Sequence, residues 1–189
     1  MADINTDALS ELVAPAEPAA RQMLASSRAP LPATDPGLLT VIELLFFAYR
    51  DFTRDADAIL STLALGRAHH RVLHFVDRHP GLRVADLLEI LKITKQSLAP
   101  VLKQLVDEGW IAQEADIEDR RVRRLHATQK GANLARRLDS VQARRVETAL
   151  AACAAGQESA VRHFLLAMIN DNERAGVEAL LPESTAIDR

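Results

Sequence analysis

Basic side chains gather in two parts of a chain whose net charge is −3. Residues 91–105 contain three lysines and no acid, and residues 120–145 contain nine basic residues against Asp139 alone. Lysine and arginine bind phosphate oxygens, so a mildly acidic protein with such local clusters can bind nucleic acid through them. The competing interpretation is that both clusters are solvated helix faces.

The first cluster belongs to a predicted helix that begins at Thr94 and ends before Gly109. One face of this helix is apolar, and the other carries small and hydrogen-bonding side chains. Glutamine can pair with adenine, lysine with guanine or phosphate, and serine with either, so we predict that the helix enters the major groove of DNA. The residues predicted to contact DNA are Thr94, Lys95, Gln96, Ser97, Ala99, Pro100 and Lys103.

Pro100 interrupts this predicted helix. If Thr94 is the N-cap, Pro100 is the sixth helical residue and cannot donate to the carbonyl of Gln96. The loss and the accompanying clash cost roughly 3 kcal/mol in a regular helix. We therefore expect either a kink or a regular helix that starts only near Pro100.

The second cluster begins at the tip of a predicted hairpin. Two extended runs, 110–115 and 121–127, are joined by the polar residues 116–120. Arg120 and Arg121 could reach a minor groove or its phosphates, and Arg123 follows them. A carboxylate facing DNA would be repelled, so we expect Asp119 to position an arginine.

These parts must be held by a small helical scaffold. Predicted helices at 67–78 and 85–91, with a short extended piece at 82–84 between them, precede the helix at 94–108 and the hairpin. The order helix, strand, helix, tight turn, helix and hairpin is that of a winged helix-turn-helix. We predict a mainly α fold with a small antiparallel β-wing and a DNA-binding lobe over residues 67–127.

Long helices are predicted on both sides of this lobe. Asp35-Pro36 starts a helix that continues toward Gly66, and Thr128 caps one that runs to about Ala155, followed by another over 157–175. The first is too apolar around its girth for one small core, which indicates a partner subunit. We expect dimerisation helices at 36–66 and 128–181, a flexible tail at 1–35 and a short tail at 182–189.

Other residues suggest chemistry that competes with DNA binding. Four histidines lie close together, and His70 and His74 share a helix face at a spacing that can bind zinc, although no second ligand pair is evident. Cys153 could sense oxidants but is more typical of a small core or interface residue. Five aromatic residues could line an effector pocket, although an ordinary core is the simpler interpretation: Phe46, Phe47, Tyr49, Phe52 and Phe75.

Composition narrows the classes of function. The single cysteine excludes a disulfide within the chain and sites built on paired cysteines. We find no signal peptide and no run long and apolar enough to span a membrane, so a cytoplasmic protein is expected. Neither a catalytic triad nor a phosphate loop is present, and we predict no enzyme activity, no cofactor and no metal.

Several runs in the right order resemble the multiple antibiotic resistance regulator (MarR) family. The most specific is the wing, where Asp116 is followed by Asp119-Arg120-Arg121. The others are Gly66, Val84-Ala85-Asp86-Leu87, Ile93-Thr94-Lys95-Gln96-Ser97-Leu98, Leu105-Val106-Asp107-Glu108-Gly109-Trp110-Ile111 and Leu125-His126-Ala127-Thr128-Gln129-Lys130-Gly131.

The resemblance implies a homodimer that binds double-stranded palindromic operator DNA and is often released by a small-molecule effector. It places Ser97, Ala99 and Pro100 at base-reading positions and Arg121 at the minor groove. Pro100 and Glu114 stand where many members carry a polar or basic residue. Two alternatives stay open: a winged-helix protein–protein adaptor with weak DNA binding, and a metal-dependent regulator that uses the histidines.

Overall fold

The computed structural model describes residues 35–116 and 119–181. Contacts divide the chain into two units, residues 1–46 and 47–189. The predicted fold class, a mainly α protein with a small antiparallel wing, is confirmed. The helices are α1 (Pro36–Ser61), α2 (Arg67–Arg78), α3 (Val84–Leu91), α4 (Lys95–Asp107), α5 (Gln129–Ala151), α6 (Glu158–Ala167) and α7 (Asp171–Leu180), and the strands are β1 (Leu82–Arg83), β2 (Ile111–Ala115) and β3 (Arg123–Ala127).

The described part of the first unit is the beginning of α1. The Asp35 carboxylate accepts a hydrogen bond from the Gly37 N–H at 2.6 Å, and Pro36 is the first helical residue. The predicted start is confirmed, because aspartate satisfies an N–H that has no helical partner. The predicted tails at 1–35 and 182–189 lie outside the described residues, apart from Asp35.

In the second unit, α1 ends five residues before Gly66. The Leu60 carbonyl accepts hydrogen bonds from the N–H groups of Leu63 and Leu65, and Ala64 between them has a left-handed φ of 54°. The expected continuation to Gly66 is therefore wrong. Gly66 is instead the N-cap of α2.

The wing is part of a three-stranded antiparallel sheet in the order β1-β3-β2. The pairs Leu82↔Leu125 and Ile111↔Ala127 set the register on the two sides of β3. The hairpin was predicted, and the short extended piece before α3 supplies its third strand. This pairing anchors the wing to the helix-turn-helix.

One apolar core lies beneath the helix-turn-helix and the sheet. Each helix of the lobe contributes apolar side chains from positions three or four residues apart, which lie on one face. In α4 these are Leu98, Leu102 and Leu105. Burying such side chains stabilises the fold by about 1.5–3 kcal/mol each. The largest buried side chains are Leu60, Leu73, Leu87, Leu98, Leu105, Ile111, Leu125, Leu138, Val72 and Val76.

The junction between α4 and α5 is tightly packed. Thr128 caps α5 by accepting from the Gly131 N–H at 3.1 Å, and its hydroxyl donates to the Gly109 carbonyl at 2.7 Å. A Cβ on Gly131 would lie 2.0 Å from the Trp110 carbonyl oxygen. Glycine is therefore required at position 131 for close approach.

The C-terminal helices differ from the prediction. Helix α5 ends at Ala151 rather than near Ala155, and the single helix expected over 157–175 is divided into α6 and α7. Arg174 explains the division, because its guanidinium donates to the carbonyls of Leu166 and Ile169, at 3.1 Å each. The end of α6 is thereby satisfied by a side chain, and α7 continues through Gly176.

Four side chains expected to be buried lie on the surface. Phe46, Phe47 and Tyr49 are exposed, and so is Cys153. The core interpretation of the three aromatic residues is wrong, because no apolar surface within the described chain covers them. Cys153 was expected in a core or an interface, and of these two the core is excluded. Among the described helices, none is long and apolar enough to cross a membrane.

Candidate nucleic-acid interface

Helix α4 begins where the sequence predicted. The Thr94 hydroxyl accepts a hydrogen bond from the Ser97 N–H at 3.2 Å, and the helix continues from Lys95 through Pro100 to Asp107. The expected late start near Pro100 is therefore wrong. Pro100 removes only its own bond to the Gln96 carbonyl, while the three buried leucines hold both halves of the helix to the core. The alternative of a kink stays a prediction.

The residues predicted to contact DNA share one surface of α4. All seven, from Thr94 to Lys103, are exposed. Gln96, Ala99, Pro100 and Lys103 form the outward stripe, since their spacing repeats at three and four residues. Lys103 is paired with Asp107 one turn later. The stripe is accessible to a groove, and its centre is apolar.

The wing tip is organised by Asp119. Its carboxylate accepts from the Arg121 backbone N–H at 2.9 Å, and its carbonyl accepts from the Val122 N–H at 2.9 Å. Arg120, Arg121 and Arg123 are exposed. Asp119 thus bonds the backbone of Arg121, and the three guanidinium groups lie on the surface of the hairpin.

Sequence reasoning missed Asp116 as a structural residue. Its side chain is 9% exposed and forms an ion pair with Arg124 on β3. Arg124 also donates from Nη1 to the Gly81 carbonyl at 3.3 Å, which links the wing to the turn before β1. The family-like Asp116 was the available signal, but only the fold reveals its burial and partner. Glu114 is exposed, and the strand register places it opposite Arg124.

A polar network fixes α4 against its neighbours. His69 Nδ1 accepts from the Gly66 N–H at 3.1 Å, so its Nε2 is free to donate to Gln104 Oε1 at 2.9 Å. Gln104 Nε2 then donates to Glu108 at 2.8 Å, and Trp110 Nε1 donates to the same carboxylate at 2.9 Å. The network joins α2, α4 and the start of the wing, and it sets where the outward stripe lies.

Removing the Gln104 amide should weaken this attachment. We expect Gln104→Met to lower the free energy of unfolding by about 1–2 kcal/mol, because the chain length is kept while the bonds to His69 and Glu108 are lost. Urea titration followed by circular dichroism measures the change. Gln113→Met, at an exposed position on β2, is the matched control and should change stability by less than about 0.5 kcal/mol. Equal effects of the two variants would contradict the role of the network.

The histidines have protein partners rather than a shared ligand set. His74 Nδ1 lies 3.1 Å from Asp139 Oδ1 on α5, and the His70 ring meets His74 edge-on at 6.4 Å. The hydrogen bond from His74 lowers the pKa of Asp139. Burial, followed by the nearby His74, lowers the pKa of His70. Within residues 35–116 and 119–181, no group of three or more histidine, cysteine or acidic side chains is placed to hold a metal ion.

The lowered pKa of His70 gives stability a definite dependence on pH. Below its ordinary pKa near 6.5, the unfolded chain takes up a proton that the native chain resists. The contribution of His70 is therefore complete above pH 6.5 and is lost as the pH falls through the native pKa. We expect His70→Gln to reduce the loss of stability between pH 7.5 and pH 5.5, as measured by urea unfolding. An unchanged pH dependence would contradict this assignment.

The geometry of the α4 surface and the wing defines a class of protein. An exposed helix on a helix-turn-helix scaffold, followed by a hairpin with arginines at its tip, is a winged-helix nucleic-acid-binding lobe. The sequence model of the MarR family matches residues 65–122, which span this lobe up to the wing tip. The HTH-type transcriptional regulator PetP of Rhodobacter capsulatus is 43% identical over 147 residues, covering 78% of this chain and 89% of PetP.

Solved structures agree in fold. Streptococcus pneumoniae FabT in complex with DNA has a TM-score of 0.62 and 20% identity, covering 76% of this chain and 99% of FabT. A MarR transcriptional regulator from Methanosarcina mazei Go1 has a TM-score of 0.59 and 22% identity, covering 74% of this chain and 98% of its own. The chain belongs to the MarR family of transcriptional regulators, and the resemblance inferred from its sequence is confirmed.

Proposed function

We propose that this regulator binds operator DNA as a homodimer, with α4 in the major groove and the wing at the adjacent minor groove. The observation that carries the proposal is that both predicted contact surfaces are exposed: the outward stripe of α4 and the wing tip. Both lie on one lobe, which is built on a single apolar core. The protein acts by binding rather than by catalysis. Since its target is chromosomal DNA, the proposal places it in the cytoplasm.

Each contact residue receives a role from its chemistry. The free N–H group of Lys95 at the start of α4, together with the hydroxyl groups of Thr94 and Ser97, suits a phosphate. Gln96 suits an adenine edge, and the ion-paired Lys103 suits the flanking backbone. Arg121 enters the minor groove, Arg120 and Arg123 hold phosphates beside it, and Asp119 orients the tip.

Helices whose apolar side chains are exposed in the single chain support the homodimer. Helices α6 and α7 contain no buried residue. Exposed apolar side chains of this size mark association surfaces when they are contiguous. The dimer would set two recognition helices about 34–36 Å apart, one turn of B-DNA. Within residues 35–116 and 119–181, the exposed large apolar residues are Leu38, Leu39, Val41, Ile42, Leu44, Phe46, Phe47, Tyr49, Val146, Phe164, Leu165, Met168 and Leu181. On this proposal residues 36–66 and 128–181 form the dimer body.

A small-molecule effector also remains part of the proposal. A cavity of about 810 Å³ lies between α7 and the α2–α3 segment, and its size falls within the range of ligand sites. Phe75 and Val177 supply apolar wall, and Arg78 and Lys92 supply cations. The carboxylates of Asp86, Glu89 and Glu173 also line the cavity, and Glu173 lies 3.5 Å from Lys92 Nζ. A ligand there could bias the separation of the two recognition helices, because the cavity touches both the DNA-binding lobe and a proposed dimer helix.

The wing gives the sharpest test of the binding mode. We expect Arg121→Ala to weaken operator binding and to reduce the slope of log affinity against log salt by about one phosphate contact. Mobility-shift titrations between 50 and 200 mM salt, on the protein's own upstream region, measure both. Arg71→Ala, at an exposed position on α2, is the matched control and should leave the slope unchanged.

Two outcomes would contradict the proposal. An unchanged slope in Arg121→Ala would mean that the wing does not touch DNA. No binding of the unaltered protein to any duplex at low salt, where phosphate contacts are strongest, would favour the protein–protein adaptor instead.

A further inference from the structure

The outward stripe of α4 is apolar at its centre. Ala99 and Pro100 are adjacent and exposed, between Gln96 one turn before and Lys103 one turn after. Neither side chain can donate or accept a hydrogen bond. The buried Leu98, Leu102 and Leu105 lie on the face opposite Pro100, and Ala99 lies on the exposed flank beside it, so both residues are accessible to whatever the helix approaches. A groove-reading helix therefore presents two hydrocarbon surfaces where hydrogen-bonding groups are usual.

We infer that Ala99 and Pro100 read thymine methyl groups, so that each operator half-site carries A·T pairs with the thymines facing these two residues. The inference rests on the proposed function and adds the class of sequence that it recognises. Thymine is the base that presents a methyl group in the major groove, and apolar side chains are its matching partners.

Ala99 and Pro100 can discriminate thymine from other bases, because the polar groups of those bases would lose their hydrogen bonds to water. An apolar side chain pressed against the amino group of cytosine, or against the oxygen of guanine, displaces water and leaves that polar group without a partner. A thymine methyl in the same place loses nothing and buries apolar surface. Ala99 and Pro100 therefore both favour thymine and disfavour the alternatives.

The rest of α4 agrees with an A·T-rich half-site. The helix contains no arginine, which is the residue that most commonly pairs with guanine. Lys103 lies at the end of the stripe, where it suits the flanking backbone, and Lys95 is the first residue of the helix and lies to one side of the stripe. Gln96, next to the apolar centre, is suited to adenine.

Replacing thymine by uracil tests the inference with a single chemical change, because uracil lacks only the methyl group. The operator is first selected from random duplexes with the full-length protein. Uracil is then placed at each thymine in turn, and affinity is measured by fluorescence anisotropy. We expect one or two positions per half-site to lose about fourfold in affinity, the value of one buried methyl, and about 15-fold when both half-sites are changed.

Two variants assign the methyl contact to its residue. Ala99→Ser and Pro100→Gln each add hydrogen-bonding groups, so uracil should no longer weaken binding at the position facing the altered residue. Ala85→Ser, at an exposed position on α3, is the matched control and should keep the full uracil effect. Uracil at the wing contacts should be neutral, since the methyl lies in the other groove.

The outcomes separate this inference from the proposed function. A selected operator that the protein binds tightly, and that tolerates uracil everywhere, overturns the inference and leaves operator binding intact. Equal uracil effects in both variants and the unaltered protein also overturn it, because another residue would then read the methyl. Failure to bind any duplex overturns both.

Discussion

Leu165→Glu should convert the protein to a monomer and reduce its affinity for a two-half-site operator by at least about 100-fold. Leu165 is 53% exposed and lies on α6, which has no buried residue in the single chain. In a dimer this side chain would be covered, and a carboxylate there would lose its water without gaining a partner. Without the dimer, the second half-site loses an effective-concentration advantage of about 10²–10⁴-fold.

Sedimentation velocity and mobility-shift titration measure the two effects separately. Ser159→Glu introduces the same charge at an exposed polar position of α6 and should leave both the dimer and the affinity unchanged. If Leu165→Glu remained a dimer with native affinity, the interface would have to lie elsewhere, and the proposed role of residues 128–181 would be wrong.

The largest loss of stability is expected for Gly131→Ala, at about 3 kcal/mol. The added methyl would lie 2.0 Å from the Trp110 carbonyl oxygen and 3.2 Å from Leu73 Cδ1. Backbone cannot move aside as a flexible side chain can, so α5 would have to shift away from the wing. Urea unfolding at a fixed protomer concentration measures the change, because the stability of a dimer depends on concentration.

Gly176→Ala is the matched control for this substitution. Gly176 lies inside α7, and an added Cβ would meet nothing within 4 Å. Alanine is the better helix former by about 1 kcal/mol, so the control should be neutral or stabilising. If the Gly131→Ala variant were as stable as the Gly176→Ala variant, the junction between α4 and α5 could accommodate the methyl group, and the predicted clash with Trp110 would be wrong.

The lobe could be predicted from sequence because each of its elements carries its own signal. Apolar periodicity predicted the positions of α2, α3 and α4. Thr94 and Thr128 predicted the first residues of α4 and α5 to within one residue. The same periodicity identified which side chains of α4 face outward. Position on a helix follows from spacing alone, so the candidate contact residues needed no tertiary information.

Features that depend on distant partners could not be predicted. The division between α6 and α7 comes from Arg174 bonding carbonyls five and eight residues earlier. His69 and Gln104 are 35 residues apart, and no local pattern indicates that they meet. The left-handed Ala64 ends α1 at a residue type that seldom adopts that conformation. Each of these is a property of packing rather than of local propensity.

Trp110 gives the molecule an optical reporter of its own. It is the only tryptophan in the chain and is 7% exposed, with Lys130 Nζ 3.7 Å from the ring centre and Glu108 accepting from its indole N–H. Indole emission responds to nearby charges and to contact with water. Its fluorescence therefore reports on the junction between α4 and α5 without any label, and a shift in emission upon adding DNA or an effector would show that the surroundings of this side chain change.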